Sequence, residues 1–293
     1  MIGLREVTVT VAVLAGLGAV PLEASQQSST AVCKPASGLL PLADLPEASG
    51  IAVSRTSSGL LWVHNDSGQP VLIAVDGNGK PAGRLTLAGA RVEDWEAIAS
   101  GPCASGSCLY VGDIGDNDAT RKQITIYRLS EPSQPNGSAK AEAFHASYPD
   151  GAHDAEALLA APDGTLLIVT KGETGPVAVY KLPRQLQAGT TMKLERVGSP
   201  LAAKPRADAR VTDGAFSADG RWVVLRTKTA LVFYRGEDFV KGNFHESHRV
   251  DLSSLKEPQG EGVGFGTGNT VYVAGEGGGK NQPGTLAALS CAP

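Results

Sequence analysis

The chain has 293 residues, 42% of them hydrophobic and 19% charged, with 36 Gly, 18 Pro and a formal charge of -4. That balance suits a folded globular protein, excludes a disordered chain, and excludes the basic surface that a nucleic-acid partner requires. Length alone points to about two domains, unless internal repeats build one larger unit.

Residues 1–24 differ from the rest. Arg5 precedes an uncharged apolar run, Val7 to Val20, with Ala24 a little beyond. The run is too short to span a bilayer, and the pattern is that of a secretory signal removed near Ala24. Residues 25–293 then form the mature domain, secreted or periplasmic and without a stable membrane anchor. Four cysteines agree with an oxidising compartment. Of the three possible pairings we expect Cys103–Cys108, which clips the short loop "ASGS", and Cys33–Cys291, which joins the two ends of the mature chain.

Five phrases then recur: "EASGIA" (47–52), "DWEAIA" (94–99), "DAEALL" (154–159), "VTDGAF" (211–216) and "GEGVGF" (260–265). They align on a small residue: Gly50, Ala97, Ala157, Gly214 and Gly262. Before it stand Ser49, Glu96, Glu156, Asp213 and Glu261, spaced by 47, 60, 57 and 48 residues. Each phrase leads into a second run of β-formers, such as "LLWVHND" and "CLYVGDIGDN", and then into a third. The Asp163-Gly164 and Asp219-Gly220 pairs are hairpin turns. Fourth runs are shorter and more polar, and no long helical period appears after the signal.

Four strands in about 50 residues is the repeat of a β-propeller blade. The fold expected is all-β, a single five-bladed β-propeller. The fifth unit ends after three strands, so "SGLLPLADLP" (37–46) is expected to close the ring against 284–291, with Cys33–Cys291 on the seam. In the loop-entropy description such a staple contributes about 4–5 kcal/mol.

Around a propeller axis the aligned acids meet. Glu96, Glu156, Asp213 and Glu261 form one ring completed by Ser49, and Glu47, Asp94 and Asp154 form a partial second ring. Two carboxylates about 6 Å apart repel by roughly 3 kcal/mol at an effective dielectric of 20, so seven together need protons, basic partners or a cation. An all-oxygen set suits calcium first, then magnesium or manganese. The alternative is that the acids cap strand ends, accept backbone N–H bonds and face water.

A second group follows the second runs and includes His64, Asp66, Asp113, Lys171, Arg226 and Glu276. We expect it at the opposite mouth or its rim, where it either holds a small anionic or hydroxylated ligand or forms solvated loop ends. "DIGDND" (113–118) has some character of a calcium loop without the full spacing. His153 is expected either near the channel or in a local turn. No nucleophile elbow, zinc-protease helix or phosphate-cradling glycine loop occurs.

"FSADGRWVVLRT" (216–227) resembles the blade phrase of secreted bacterial propellers. Together "EASGIA", "HNDSG", "DWEAIA", "YVGDIGDN", "DAEALL", "VTKGE" and "QGEGVGF" resemble a family of exported bacterial propellers of unassigned activity. More distantly they are similar to phytase-like and esterase-like propellers, which bind calcium through carboxylates and typically have six blades. The resemblance implies a metal at Glu47, Asp94, Glu96, Asp154, Glu156, Asp213 and Glu261, and transfers no catalytic residue. The functions it leaves are a metal-dependent hydrolase of phosphate or other anionic esters, a monomeric module binding a ligand or another extracellular protein, and a glycosidase using the acid columns.

Overall fold

Each of the five recurring phrases becomes the innermost strand of a four-stranded antiparallel blade in the computed structural model, which describes Gly3 and residues 33–201, 203–279 and 281–292. The expected signal therefore lies outside the described residues, apart from Gly3. Among the described residues no helix is long and apolar enough to cross a membrane.

Blade 1 runs outward through Ala48–Val53, Leu60–Asn65, Val71–Asp76 and Pro81–Ala88. Blade 2 uses Trp95–Cys103, Gly106–Asp113, Ile124–Ser130 and Glu142–Ser147. Blades 3 and 4 begin at Ala155–Ala160 and Val211–Phe216, and blade 5 at Gln259–Phe265. Each inner strand packs against the inner strands of the next and previous blades, and blade 5 packs against blade 1, which closes the ring. The hairpin glycines Gly164 and Gly220 have φ of 84° and 70°, the left-handed backbone that their turns require.

Closure follows the expected pairing and extends it. Leu40–Leu42 pairs antiparallel with Gly284–Leu286, and Cys33–Pro35 continues along the same strand opposite Leu289–Cys291. Cys33 and Cys291 are direct register partners and are disulfide-bonded, as are Cys103 and Cys108. Two short segments add parallel edge strands to preceding blades: Gly137–Lys140 on Pro81–Ala88, and Thr191–Lys193 on Glu142–Ser147.

The small aligned residues mark where blades touch. A Cβ on Gly50 would stand 2.7 Å from the Ile98 nitrogen, and one on Gly262 would stand 2.6 Å from the Ser49 carbonyl oxygen. Ala97 and Ala157 are fully buried at the same approach. The core lies between blades rather than at a single centre. Trp95 of the "DWEAIA" phrase is buried with His64 and Tyr127 around its ring, its indole N–H donating to Arg91 O at 2.9 Å.

Candidate functional site

All five inner strands carry a β-bulge near their first residues, where the acids cluster. A bulge leaves a residue unpaired and re-aims its side chain. In blades 2 and 3 the extra residue is Glu96 or Glu156. In blade 4 it is Thr212, because Val211 pairs with Thr227 and Asp213 with Arg226. Thr212 donates its hydroxyl to Glu261 O at 2.9 Å, as Ser49 does to Glu96 O at 2.9 Å. The ring is therefore Ser49, Glu96, Glu156, Thr212 and Glu261, which corrects the sequence alignment by one residue in blade 4. Asp213 instead reaches blade 5, where its Oδ2 accepts the Val263 N–H at 2.8 Å. Burial holds its carboxyl well above the usual carboxylate range.

The second group of residues does not face the opposite mouth. First and second strands are antiparallel, so the end of each second strand lies beside the start of the first: Asp113 opposite Trp95, Arg226 opposite Asp213, Glu276 opposite Gln259. Both groups belong to one acidic mouth.

One lobe of that mouth lies between blades 2 and 3. The Lys171 ammonium is 2.5 Å from Glu156 Oε1 and 3.3 Å from Asp154 Oδ2. Asp154 Oδ1 accepts the Asp116 N–H at 2.8 Å. Glu96 lies beside them with no basic side chain in contact; its Oε2 accepts the Ser49 hydroxyl at 3.2 Å. Asp94 shares the same corner, since a side chain on Gly115 would collide with both Asp94 and Glu96.

Burial raises Glu96, Glu156 and Asp94 alike, and contact with Lys171 is what distinguishes Glu156 from the other two. Burial, then the charges of Glu156 and Asp94, keeps Glu96 well above the usual carboxylate range. Burial also raises Glu156, against the pull of Lys171. Burial works against the Lys171 ammonium too, but Glu156, Asp154 and Glu96 outweigh it and hold its pKa above the ordinary lysine value. Glu96 is raised with no cation in contact, whereas Lys171 touches Glu156 and Asp154.

The second lobe joins blades 5 and 1. Burial, then Glu47 and Glu276, raises Asp66 to about 6. Burial raises Glu261 to about 7, opposed by Arg226 and reinforced by Glu276. Glu276 is raised by burial and accepts a hydrogen bond from the Gln259 amide. Glu47 is exposed and accepts the Ser67 hydroxyl at 2.6 Å.

Other named residues are committed to the scaffold. His64 has no exposed surface, and burial lowers its pKa to about 4, so its neutral ring packs edge-on against Trp95. Arg226 is equally enclosed. Its guanidinium donates to Gly262 O, Ala274 O and Glu257 Oε2 at 2.6–2.8 Å, tying blade 4 to blade 5. Asp113 accepts the Glu93 and Asp94 N–H groups and pairs with Arg121 at 2.8 Å. The Asp116 carboxylate accepts the Thr120 and Arg121 N–H groups. "DIGDND" is thus a turn braced by Arg121, its first two acids already occupied. His153 turns toward Asp150 and Tyr180, at 3.0 and 2.9 Å.

The oxygen-rich donor set has the chemistry of a calcium, magnesium or manganese site. Its arrangement does not fit one: the Lys171 ammonium bridges Asp154 and Glu156, and among the described residues no three His, Cys, Asp or Glu side chains converge as metal ligands. The acids are balanced by lysine, protons and backbone N–H groups. Thr212, Arg121 and Glu257 stand outside the recurring acid columns of the sequence. Only Arg121, five residues beyond Asp116, left a local clue.

Fold and mouth define the class: a five-bladed β-propeller with an acidic central mouth. No family model and no curated protein sequence matches the chain. Among solved structures it is similar to the PQQ-bound aldose sugar dehydrogenase of Streptomyces coelicolor, with 11% identity over 90% of this chain and 99% of that one, TM-score 0.54. It is likewise similar to the allergen Mala s 1 of Malassezia sympodialis, with 11% identity over 86% of this chain and 96% of that one, TM-score 0.56. At these identities the likeness is one of fold, and no match carries the phytase-like kinship.

Proposed function

We propose that the protein is an exported propeller whose acidic mouth binds a small hydroxylated ligand and performs acid–base chemistry on it, as a hydrolase of an ester or glycosidic bond. The observation that carries this reading is the contrast between Glu96 and its neighbours. Glu96 is buried, touches no cation and is raised well above the usual carboxylate range, beside Glu156 and Asp154, which Lys171 contacts, and the Asp94 carboxyl group. Environments that push apart the proton affinities of adjacent acids supply a general acid and a general base together. Carboxylates accept hydrogen bonds from ligand hydroxyls, whereas the excess of acids repels a free anion. The two disulfide bonds support export to an oxidising compartment.

Screening the purified protein against ester, phosphate-ester and glycoside panels tests the reading. Activity should appear on a neutral hydroxylated substrate without added metal, and Glu96→Gln should lower kcat by at least about 100-fold, as loss of a general acid does. Activity unchanged in Glu96→Gln would remove that residue's role.

A second reading, the metal-dependent hydrolase of anionic esters, is favoured by the excess of acidic over basic side chains at the mouth, which attracts a divalent cation. It requires Lys171 to release Asp154 and Glu156. Activity on phosphate esters alone, dependent on calcium, magnesium or manganese, would support it over the first. Binding without turnover would leave a ligand- or protein-binding module.

A further inference from the structure

We propose that the mouth opposite the acids is a second binding site, which takes a small apolar molecule carrying one anionic group. The far halves of the inner strands and their hairpin turns surround a cavity of about 810 Å³ there. Ile51, Ile98, Leu158, Phe216 and Phe265 form much of its apolar lining. The volume falls in the range that holds drug-sized ligands, which extends from about 300 to 1,000 Å³.

Among the described residues two charged ones, Arg55 and Asp219, line this cavity. Asp219 is already committed: its carboxylate accepts the Ser217 hydroxyl at 2.7 Å and bonds to the backbone and guanidinium of Arg221. Arg55 differs. Its backbone N–H is anchored by Glu131, itself buried and held by the Trp62 indole and the Ser107 hydroxyl. Among the described residues its guanidinium makes no hydrogen bond or ion pair. Partial burial lowers its pKa, so the cation lacks both full hydration and a partner in contact. An unpaired guanidinium on the rim of an apolar cavity suits a carboxylate, sulfonate or phosphate head with the rest of the molecule inside. This site depends on no residue of the acidic mouth.

Two fluorescent probes test it: 1-anilinonaphthalene-8-sulfonate, which is apolar and anionic, and N-phenyl-1-naphthylamine, its neutral analogue. Both should bind saturably at one site per chain. Arg55→Gln should weaken the sulfonate about tenfold and leave the neutral probe unchanged. Ser100→Phe, which fills part of the cavity, should weaken both. Arg55 is exposed, so its variant should fold normally and decides the matter even if Ser100→Phe does not fold. Sulfonate binding that survives Arg55→Gln, that is lost in Glu96→Gln instead, or that never saturates would overturn the proposal.

Discussion

The Lys171 ammonium stands 2.5 Å from Glu156 Oε1, inside a ring where sequence alone suggests a metal ion. Removing one partner of such a pair leaves the other charge buried and uncompensated, which costs about 3–5 kcal/mol for fully enclosed pairs. Lys171 keeps 21% of its side chain exposed, so Lys171→Met should cost less, about 2–4 kcal/mol at pH 8. The loss should shrink toward pH 5, where Glu156 can take up a proton instead. Urea unfolding of both proteins at the two pH values measures it. An equal loss at both would mean that Lys171 acts through packing rather than charge.

The raised carboxyls set a pH dependence of known sign. Burial pushes Glu261 up to about 7 and Asp66 up to about 6 in the folded chain, against about 4.5 and 3.8 ordinarily. The folded state therefore holds protons that the unfolded state releases. Their contribution is fully present below about pH 3.8 and is lost as pH rises through 6 and 7. The melting temperature should fall across that window. Glu261→Gln, which cannot ionise, should flatten the decline and melt higher than wild type at pH 8. A melting temperature that rises from pH 5 to pH 8 would contradict the assignment.

Blade number, hairpins and ring closure were legible because they depend on local pattern. Asp163-Gly164 and Asp219-Gly220 announce turns, and a fifth unit short of one strand requires a donor from elsewhere. The register of blade 4 was not. "VTDGAF" places Asp213 before a glycine just as "DWEAIA" places Glu96 before an alanine, and only backbone pairing shows that Thr212 takes the bulge. The shared mouth follows in principle from antiparallel pairing, but the distance along the chain between the two groups hides it. The Lys171 pairing with Glu156 was hidden, because 15 positions and a hairpin separate them in sequence. Arg55 and its cavity left no sign, since the residues that converge there are ordinary strand and turn residues.

Glu96→Gln and Glu156→Gln distinguish a proton-holding cluster from a metal site. If Glu96 already carries a proton, its amide replacement changes little, and stability at pH 7 should stay within about 0.5 kcal/mol of wild type. Glu156→Gln removes the Lys171 partner and should destabilise. Chelator-treated wild type should then show no thermal shift in millimolar calcium. A bound metal predicts otherwise: calcium would raise the melting temperature by mass action, and Glu96→Gln would shrink that rise. Thermal unfolding of the three proteins with and without calcium decides between them.

The seam of the ring makes the last prediction. Two segments, Cys33–Pro35 and Leu40–Leu42, cover the edge of Gly284–Cys291, and the Cys33–Cys291 bond closes a loop with a sequence separation of 258 residues. Cys33→Ala with Cys291→Ala frees the unfolded chain and should lower stability by about 3–5 kcal/mol, while the backbone pairing keeps the ring closed. Deleting residues 25–46 removes the pairing as well. It exposes an unpaired strand edge and uncovers Leu286, which is fully buried beside Leu42 and Leu45. That deletion should melt well below the double cysteine variant and should aggregate. Equal stability of the two would show that the seam is held by the disulfide alone.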